Sequence, residues 1–504
     1  MSRTEAFLKN SLATMIMQVI TMVAGFIVPK IMIEVYGSEI NGMTSSIGQF
    51  ISYFSLVEAG ISSAAIVALY GPIAHKDYGK INGVIVASKN FYTQAGWLFV
   101  SITSLFSFIY PFIIHTEALS YFEIVLLVFI LGFAGAVEFF TLAKYRVFLT
   151  AAQKTYVISL ASAVAVILNT AVIAILSYLA MDVVFVRFVA LSSVLLRTWI
   201  LYRYVHKNYF FINYHALPDN HALDKRWDAL YLQILGPVQN GTPIILATLL
   251  TTLKIVSAYS VYNLVMVGIN GILGVFISGL GASFGDVIAR KESEILKRAY
   301  NEFEVCYYFL IAGVYGVAFG TITPFICLYT RKATDMDYNL PIIGFLMVLN
   351  GLLYNLKTPQ GMIVVNAGLF RENRYRMTLQ AFNVIFWGAV LGYFWGLPGI
   401  IGGGIISNFV RDVDLAYDIP KHVIHVSYWK TMYRMVQTCL IAAAIYLPTF
   451  YINFDIQSYL DWVIYAAILT VYGGILIGLV AFLTERKVMI DVYKRLVANR
   501  LRKE

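Results

Sequence analysis

The sequence is divided into apolar runs that are each about as long as a bilayer is thick, and this repetition limits the fold more than any motif does. Residues 460–483, "LDWVIYAAILTVYGGILIGLVAFL", contain a single charge, Asp461. A helical span needs about 20 mostly apolar residues, whereas a membrane barrel needs alternating strands of about 10. The alternating pattern is missing, so the runs predict helices. With 59% hydrophobic and 13% charged residues in 504, the chain is expected to be an all-α polytopic membrane protein. About fourteen spans are expected, at 9–34, 41–70, 84–113, 120–142, 156–179, 183–205, 231–253, 257–286, 302–329, 339–358, 376–396, 398–419, 431–452 and 460–483. The first run is too long for a signal-peptide core and has no small-residue cleavage site, so it is expected to be a retained helix. Cys306, Cys327 and Cys439 stand singly, which supports neither a disulfide framework nor a zinc site.

Lysine and arginine orient the spans, because positive loops stay in the cytoplasm. With the N-terminus inside, inner loops hold groups such as Lys76, Lys80 and Lys89, or Arg371, Arg374 and Arg376, and the C-terminal tail adds seven more basic residues from Arg486 onward. The outer side keeps Lys30, Lys254, Arg331 and Lys332. Both termini are therefore expected in the cytoplasm. The net charge of +9 reflects this topology and anionic lipid rather than nucleic acid. Outer loops are short, which argues for transport and against an enzyme that holds a sugar acceptor outside the membrane. No nucleophile motif, Walker loop or dinucleotide fingerprint appears, so no cofactor is expected.

The chain also resembles itself. "LSSVLLRTWI" in span six and "IISNFVRDVD" in span twelve both place Ser four residues before Arg, as Ser193 with Arg197 and Ser407 with Arg411, at an offset of 214. "SLVEAGISSA" (55–64) resembles "FISGLGASFG" (276–285) at a similar offset. An even number of spans per copy gives both copies the same orientation, with a pseudo-twofold axis along the membrane normal. The expected organisation is an N-lobe at 1–205, a cytoplasmic linker at 206–230 and a C-lobe at 231–420. The last two spans and a basic tail fill 421–504. Two six-helix lobes would face a central cavity.

Charges within these spans carry the chemistry. An Arg or Asp at a helix centre costs about 2.5–3.5 kcal/mol on insertion, so each must face protein or water. Ser407, Arg411, Asp414 and Asp418 recur at steps of four, three and four and share one helical face, with Asn408 and Asp412 beside it. Span six has a thinner version in Arg187, Ser193 and Arg197. One reading pairs Arg411 with Asp414 inside a packed bundle. The other has Arg197 and Arg411 facing each other across the cavity to bind an anionic group, since a guanidinium matches phosphate oxygens bidentately. Glu58 and Glu138 suit either a structural arginine partner or a coupling cation such as H+ or Na+. Lys30, one turn before Glu34, pairs locally or snorkels, unless Pro29 turns it inward.

The stretch 10–43, ending in "YGSEINGM", and the segment "SLVEAGISSAAIVALYGPIAHKD" (55–77) resemble the Wzx-type polysaccharide (lipid-linked oligosaccharide) flippases of the multidrug/oligosaccharidyl-lipid/polysaccharide (MOP) exporter superfamily. That resemblance implies a protein of the bacterial cytoplasmic (inner) membrane that moves undecaprenyl-pyrophosphate-linked oligosaccharide to the outer leaflet for surface polysaccharide. Its implied partners are that lipid-linked substrate, membrane lipid, a polysaccharide polymerase and a chain-length regulator. Arg197 and Arg411 would then hold the pyrophosphate while Arg187, Asp412 and Asp414 tune the cavity, and Glu58 or Glu138 would respond to H+ or Na+. Lys30 stands where relatives commonly carry arginine, which weakens a phosphate role there. The alternatives are a MATE-like, cation-coupled multidrug exporter, which should centre on acids and aromatics, and a membrane polymerase or glycosyltransferase.

Overall fold

The computed structural model describes residues 3–220, 226–290, 292–451, 454–491 and 494, and among them every regular element is helical. Part of the 206–230 stretch and most of the basic tail fall outside the described residues. In chain order the helices are α1 (Arg3–Tyr36), α2 (Ser38–Phe54), α3 (Ala59–His75), α4 (Tyr78–Ile113), α5 (Tyr121–Val137) and α6 (Ala143–Ala151). Next come α7 (Thr155–Tyr178), α8 (Val183–Ala190), α9 (Ser192–Asn208), α10 (Arg226–Leu250), α11 (Leu253–Ala289) and α12 (Ser293–Tyr329). The chain ends with α13 (Pro341–Leu356), α14 (Thr358–Asn366), α15 (Phe370–Trp395), α16 (Leu397–Asp418), α17 (Tyr428–Tyr446) and α18 (Tyr459–Thr484).

Among the described residues ten helices are long and apolar enough to cross a membrane by length and composition. The expected spans near 41–70, 231–253, 398–419 and 431–452 are helical but fall short of that standard, and their sequences show why. The first is interrupted by a 3-10 turn, Ser55–Glu58, between α2 and α3. Among the described residues of α10, Ile234–Leu250 forms an apolar stretch. α16 carries Arg411, Asp412, Asp414 and Asp418, and α17 carries Lys430 and Arg434. Other spans are broken too. A π-helical turn, Glu138–Leu142, joins α5 to α6, a kink at Leu191 separates α8 from α9, and Lys357 separates α13 from α14.

Helix starts follow local chemistry. Ser120 and Glu123 form a capping box at α5, Ser458 and Asp461 form another at α18, and Asp77 caps α4 by accepting from the Lys80 amide at 3.0 Å. The close pairing of α15 with α16 depends on glycine. Gly396 turns the chain between them at φ +59, and a Cβ on Gly403 would sit 2.2 Å from Gly388 N. A Cβ on Gly399 would sit 2.0 Å from Leu391 O. Gly399 and Gly403 are one turn apart, as are Gly388 and Gly392, so small residues let the two backbones meet.

The chain divides into two compact units. Unit 1 comprises Met1–Ser260 with Lys332–Met336, and unit 2 comprises Val261–Arg331 with Asp337–Glu504. Within unit 1, α10 packs on α2 through Tyr53 donating to Val238 O at 3.0 Å and Thr248 donating to Ser46 Oγ at 2.8 Å. The short 332–336 segment is tied to the same unit by Asp335, which accepts from the Ser38 amide and hydroxyl, both at 2.8 Å. Two apolar cores fill unit 1, one around Tyr92, Phe99 and Phe148 and the other around Met43, Ile47 and Tyr110.

Candidate functional site

In unit 1 the charged side chains gather where helices deviate. Glu58 closes the 3-10 turn and Glu138 opens the π turn, so neither acid sits in uninterrupted α-helix. Such irregular turns release backbone groups from the i to i−4 ladder and recur at functional sites. Arg146 of α6 donates to Glu58, and Arg197 of α9 donates to Glu138. Along its own helix Arg197 has no acid beside it, and the chain supplies one from 59 positions upstream. Both pairs are partly open: 35% and 19% of the Arg146 and Glu58 side chains are exposed, against 22% and 38% for Arg197 and Glu138.

The other unit 1 residues singled out by the sequence lie elsewhere. Arg187 is on α8, and its buried Nε makes no hydrogen bond among the described residues. Lys30 lies 4.0 Å from Glu34, which also meets Lys332 at 3.5 Å.

Unit 2 assembles a larger polar network on α16. Arg411 is 5% exposed, donates to Asp414 one turn along, and reaches Asn373 Oδ1 of α15 at 3.0 Å. Arg376, also from α15, lies 3.4 Å from Asp414 and pairs with Asp418, which holds His422 Nδ1 at 3.2 Å. Ser407 donates to Gln380 O at 2.7 Å. The stripe read from the steps 407, 411, 414 and 418 is therefore the face that meets α15. Phe409, Val410 and Val413 point away and are exposed, as a lipid-facing side requires.

A second stripe, Asn408 and Asp412, faces differently. Asn408 accepts from Lys357 Nζ at 2.6 Å and donates to Asn350 at 2.9 Å. Asp412 is 2% exposed, and among the described residues neither of its carboxylate oxygens has a hydrogen-bond partner. Buried polar groups are almost always paired, so this orphan is the most unusual atom group in the network. Lys357, two residues before Pro359, lies where a lysine would ordinarily snorkel from a helix end. Instead, the break between α13 and α14 turns its ammonium onto Asn408. Arg376 was counted as an inner-loop charge, and it belongs to this network. The network's amides, Asn350, Asn373 and Gln380, went unnoticed, although an amide inside an apolar run is itself a signal.

Chemically, these two sets offer guanidinium groups whose carboxylate partners an incoming anion can replace. They also offer neutral amides that suit hydroxyl groups, and one buried acid without a donor.

No family model matches the chain, and no curated protein matches its sequence significantly. Solved structures do match. A multidrug resistance MATE family transporter of the MOP superfamily, in an inward-facing conformation, aligns with a TM-score of 0.67 at 14% identity, covering 86% of this chain and 99% of that one. The lipid II flippase MurJ, in an inward closed conformation, aligns with a TM-score of 0.70 at 13% identity, covering 92% and 97%. A MOP superfamily transporter from Pyrococcus furiosus, whose binding pocket of reverse polarity was taken to suggest a different function, aligns with a TM-score of 0.56 at 14% identity, covering 86% and 96%. The chain thus has the all-helical, multi-span fold of the MOP-superfamily transporters. The neighbours that establish this fold are transporters rather than enzymes.

Proposed function

We propose that the protein is a flippase that carries undecaprenyl-pyrophosphate-linked oligosaccharide from the cytoplasmic to the outer leaflet of a bacterial inner membrane. Arg197 of unit 1 and Arg411 of unit 2 are its phosphate-binding groups. The likeness to a flippase of lipid II, together with the Wzx-type segments at 10–43 and 55–77, supports the substrate class. The observation that carries the reading is the state of the intramembrane arginines. Each is held by a carboxylate that remains partly exposed, Glu138 at 38% and Asp414 at 31%. A pyrophosphate can displace such a partner and keep the guanidinium charge-paired throughout. The amide side chains around Arg411 suit sugar hydroxyls.

A complementation assay tests this. Arg197→Gln combined with Glu138→Gln removes a pair without stranding a charge, and Arg411→Ala removes the second phosphate ligand. Each protein is expected to reach the membrane and fail to restore surface glycan. Normal glycan from either variant would show that the arginines do not bind the substrate.

One observation favours a second reading, a cation-coupled exporter. The unpartnered Asp412 is a place where H+ or Na+ can be taken up. On that reading Asp412→Asn abolishes the dependence of export on the cation gradient, and export of amphipathic drugs accompanies it. A deletion strain with unchanged drug sensitivity and lost surface glycan would eliminate the exporter.

A further inference from the structure

Unit 2 contains a second polar site, separate from Arg411. A cavity of about 370 Å³ lies between α12, the Val426–Ser427 segment and the first turn of α17. That volume is within the ~300–1,000 Å³ typical of small-molecule sites. Its walls carry four cations, Lys297, Arg298, Lys430 and Arg434, and two acids, Glu294 and Glu304.

The acids are already committed. Glu304 accepts from Tyr300 at 2.7 Å, Thr431 at 2.8 Å and Arg434 at 2.5 Å, and Glu294 holds Lys297 at 2.8 Å. Arg298 is shared between Glu302 at 3.1 Å and Asp491 at 3.4 Å. Lys430 differs from all of these. Its ammonium reaches the amide oxygen of Asn301 at 3.3 Å and has no carboxylate within ion-pair distance among the described residues. It also stands on the opening turn of α17, a 19-residue helix whose N-cap residue, Ser427, makes no side-chain cap bond. The Lys430 amide turns back to Ser427 O at 3.2 Å, and the positive end of the helix dipole favours negative charge at the same place as this lysine. Next to it Trp429 and Tyr433 are exposed, at 67% and 56%, as aromatics at a membrane interface are.

We propose that this cavity binds a phosphate-bearing group, held by Lys430 and the start of α17 with Lys297 in support. An anionic phospholipid headgroup, its acyl chains lying along Trp429 and Tyr433, and a soluble phosphate compound share that chemistry. Basic pockets between membrane helices bind lipid headgroups in this way. The site makes no use of Arg197 or Arg411, so it stands whether or not the flippase reading does.

Native mass spectrometry of the full chain tests it, using phosphatidylglycerol and phosphatidylethanolamine with identical acyl chains. A parallel arm measures whether inorganic phosphate protects Lys430 from an amine-reactive label. Phosphatidylglycerol is expected to be retained over phosphatidylethanolamine. Lys430→Gln, an exposed position whose change leaves the fold intact, is expected to weaken retention about fivefold, the factor equivalent to ~1 kcal/mol for one cation near an anionic surface. Lys332→Gln, in unit 1, should change nothing. Protection by inorganic phosphate without a lipid preference would assign the site to a soluble phosphate compound. Equal retention of both lipids together with no protection would overturn the proposal. So would unaltered phosphatidylglycerol binding by a Lys430→Gln protein that melts like wild type.

Discussion

Replacing Arg434 by methionine should destabilise unit 2 more than any other single charge removal. Arg434 is 3% exposed and its guanidinium joins α17 to α12 and the end of α18: Nε meets Glu485 at 2.7 Å, Nη1 meets Glu304 at 2.5 Å, and Nη2 meets Asn301 at 2.8 Å. Glu304 and Glu485 are themselves buried, at 1% and 7%. Arg434→Met leaves both carboxylates without their counter-charge. Breaking a buried pair by removing one partner costs about 3–5 kcal/mol, because the remaining charge stays desolvated. If unit 2 melts as one body, this lowers Tm by about 6–20 °C, at roughly 2–4 °C per kcal/mol for a domain of 150–250 residues. The triple variant Arg434→Met, Glu304→Gln, Glu485→Gln strands no charge. It should recover most of the loss, since exchanging a buried ion cluster for neutral groups of similar volume is often close to neutral. Melting curves of the detergent-purified proteins, recorded at one scan rate, provide the comparison. An Arg434→Met protein melting within about 2 °C of wild type, or a triple variant less stable than the single one, would refute the reasoning.

Two further outcomes can be checked. Gly403→Val puts side-chain atoms where Gly388 of α15 stands 2.2 Å away, so α15 and α16 must separate. A loss of about 1–3 kcal/mol is expected in melting, together with loss of the proposed glycan complementation because Asn373 and Arg376 leave Arg411 and Asp414. For orientation, single cysteines replacing Lys76 and Glu117 in a protein with Cys306, Cys327 and Cys439 changed to serine should label from opposite sides. Position 76 should react from the cytoplasm and position 117 from outside, and the reverse result would invert the topology.

The helices were legible because a bilayer demands about 20 apolar residues and leaves little freedom in how to supply them. The polar face of α16 was legible for a similar reason: the steps from Ser407 to Asp418 match one helical stripe, and α15 lies against it. The breaks were not. Ser55–Glu58 and Glu138–Leu142 contain neither glycine nor proline, so nothing in the local sequence announces a 3-10 or a π turn. The break at Lys357 was better marked, by Pro359. Partners were the least legible feature. Glu138 reaches Arg197 from 59 residues away, and Glu58 reaches Arg146 from 88. Periodicity describes one helix at a time, and ion pairs between helices depend on which faces meet.

Exposure separates two kinds of buried charge in this chain. The Arg434 cluster is closed, its three charged side chains 1–7% exposed, and it ties α12, α17 and the end of α18 together. The Arg146–Glu58 and Arg197–Glu138 pairs have 19–38% of each side chain open and lie at helix irregularities. A pair kept for stability alone gains nothing from such placement, since apolar residues in its place are often neutral or better. Partial opening lowers the cost of separating the two charges, and an irregular turn needs water or polar partners that a lipid-facing helix lacks. On the proposed flippase reading the open pairs are therefore the ones a phosphate would enter by exchange, and the closed cluster is the one it would not. Arg411 stands between these cases, closed itself but paired to the half-open Asp414, so exchange there must begin with the movement of the carboxylate.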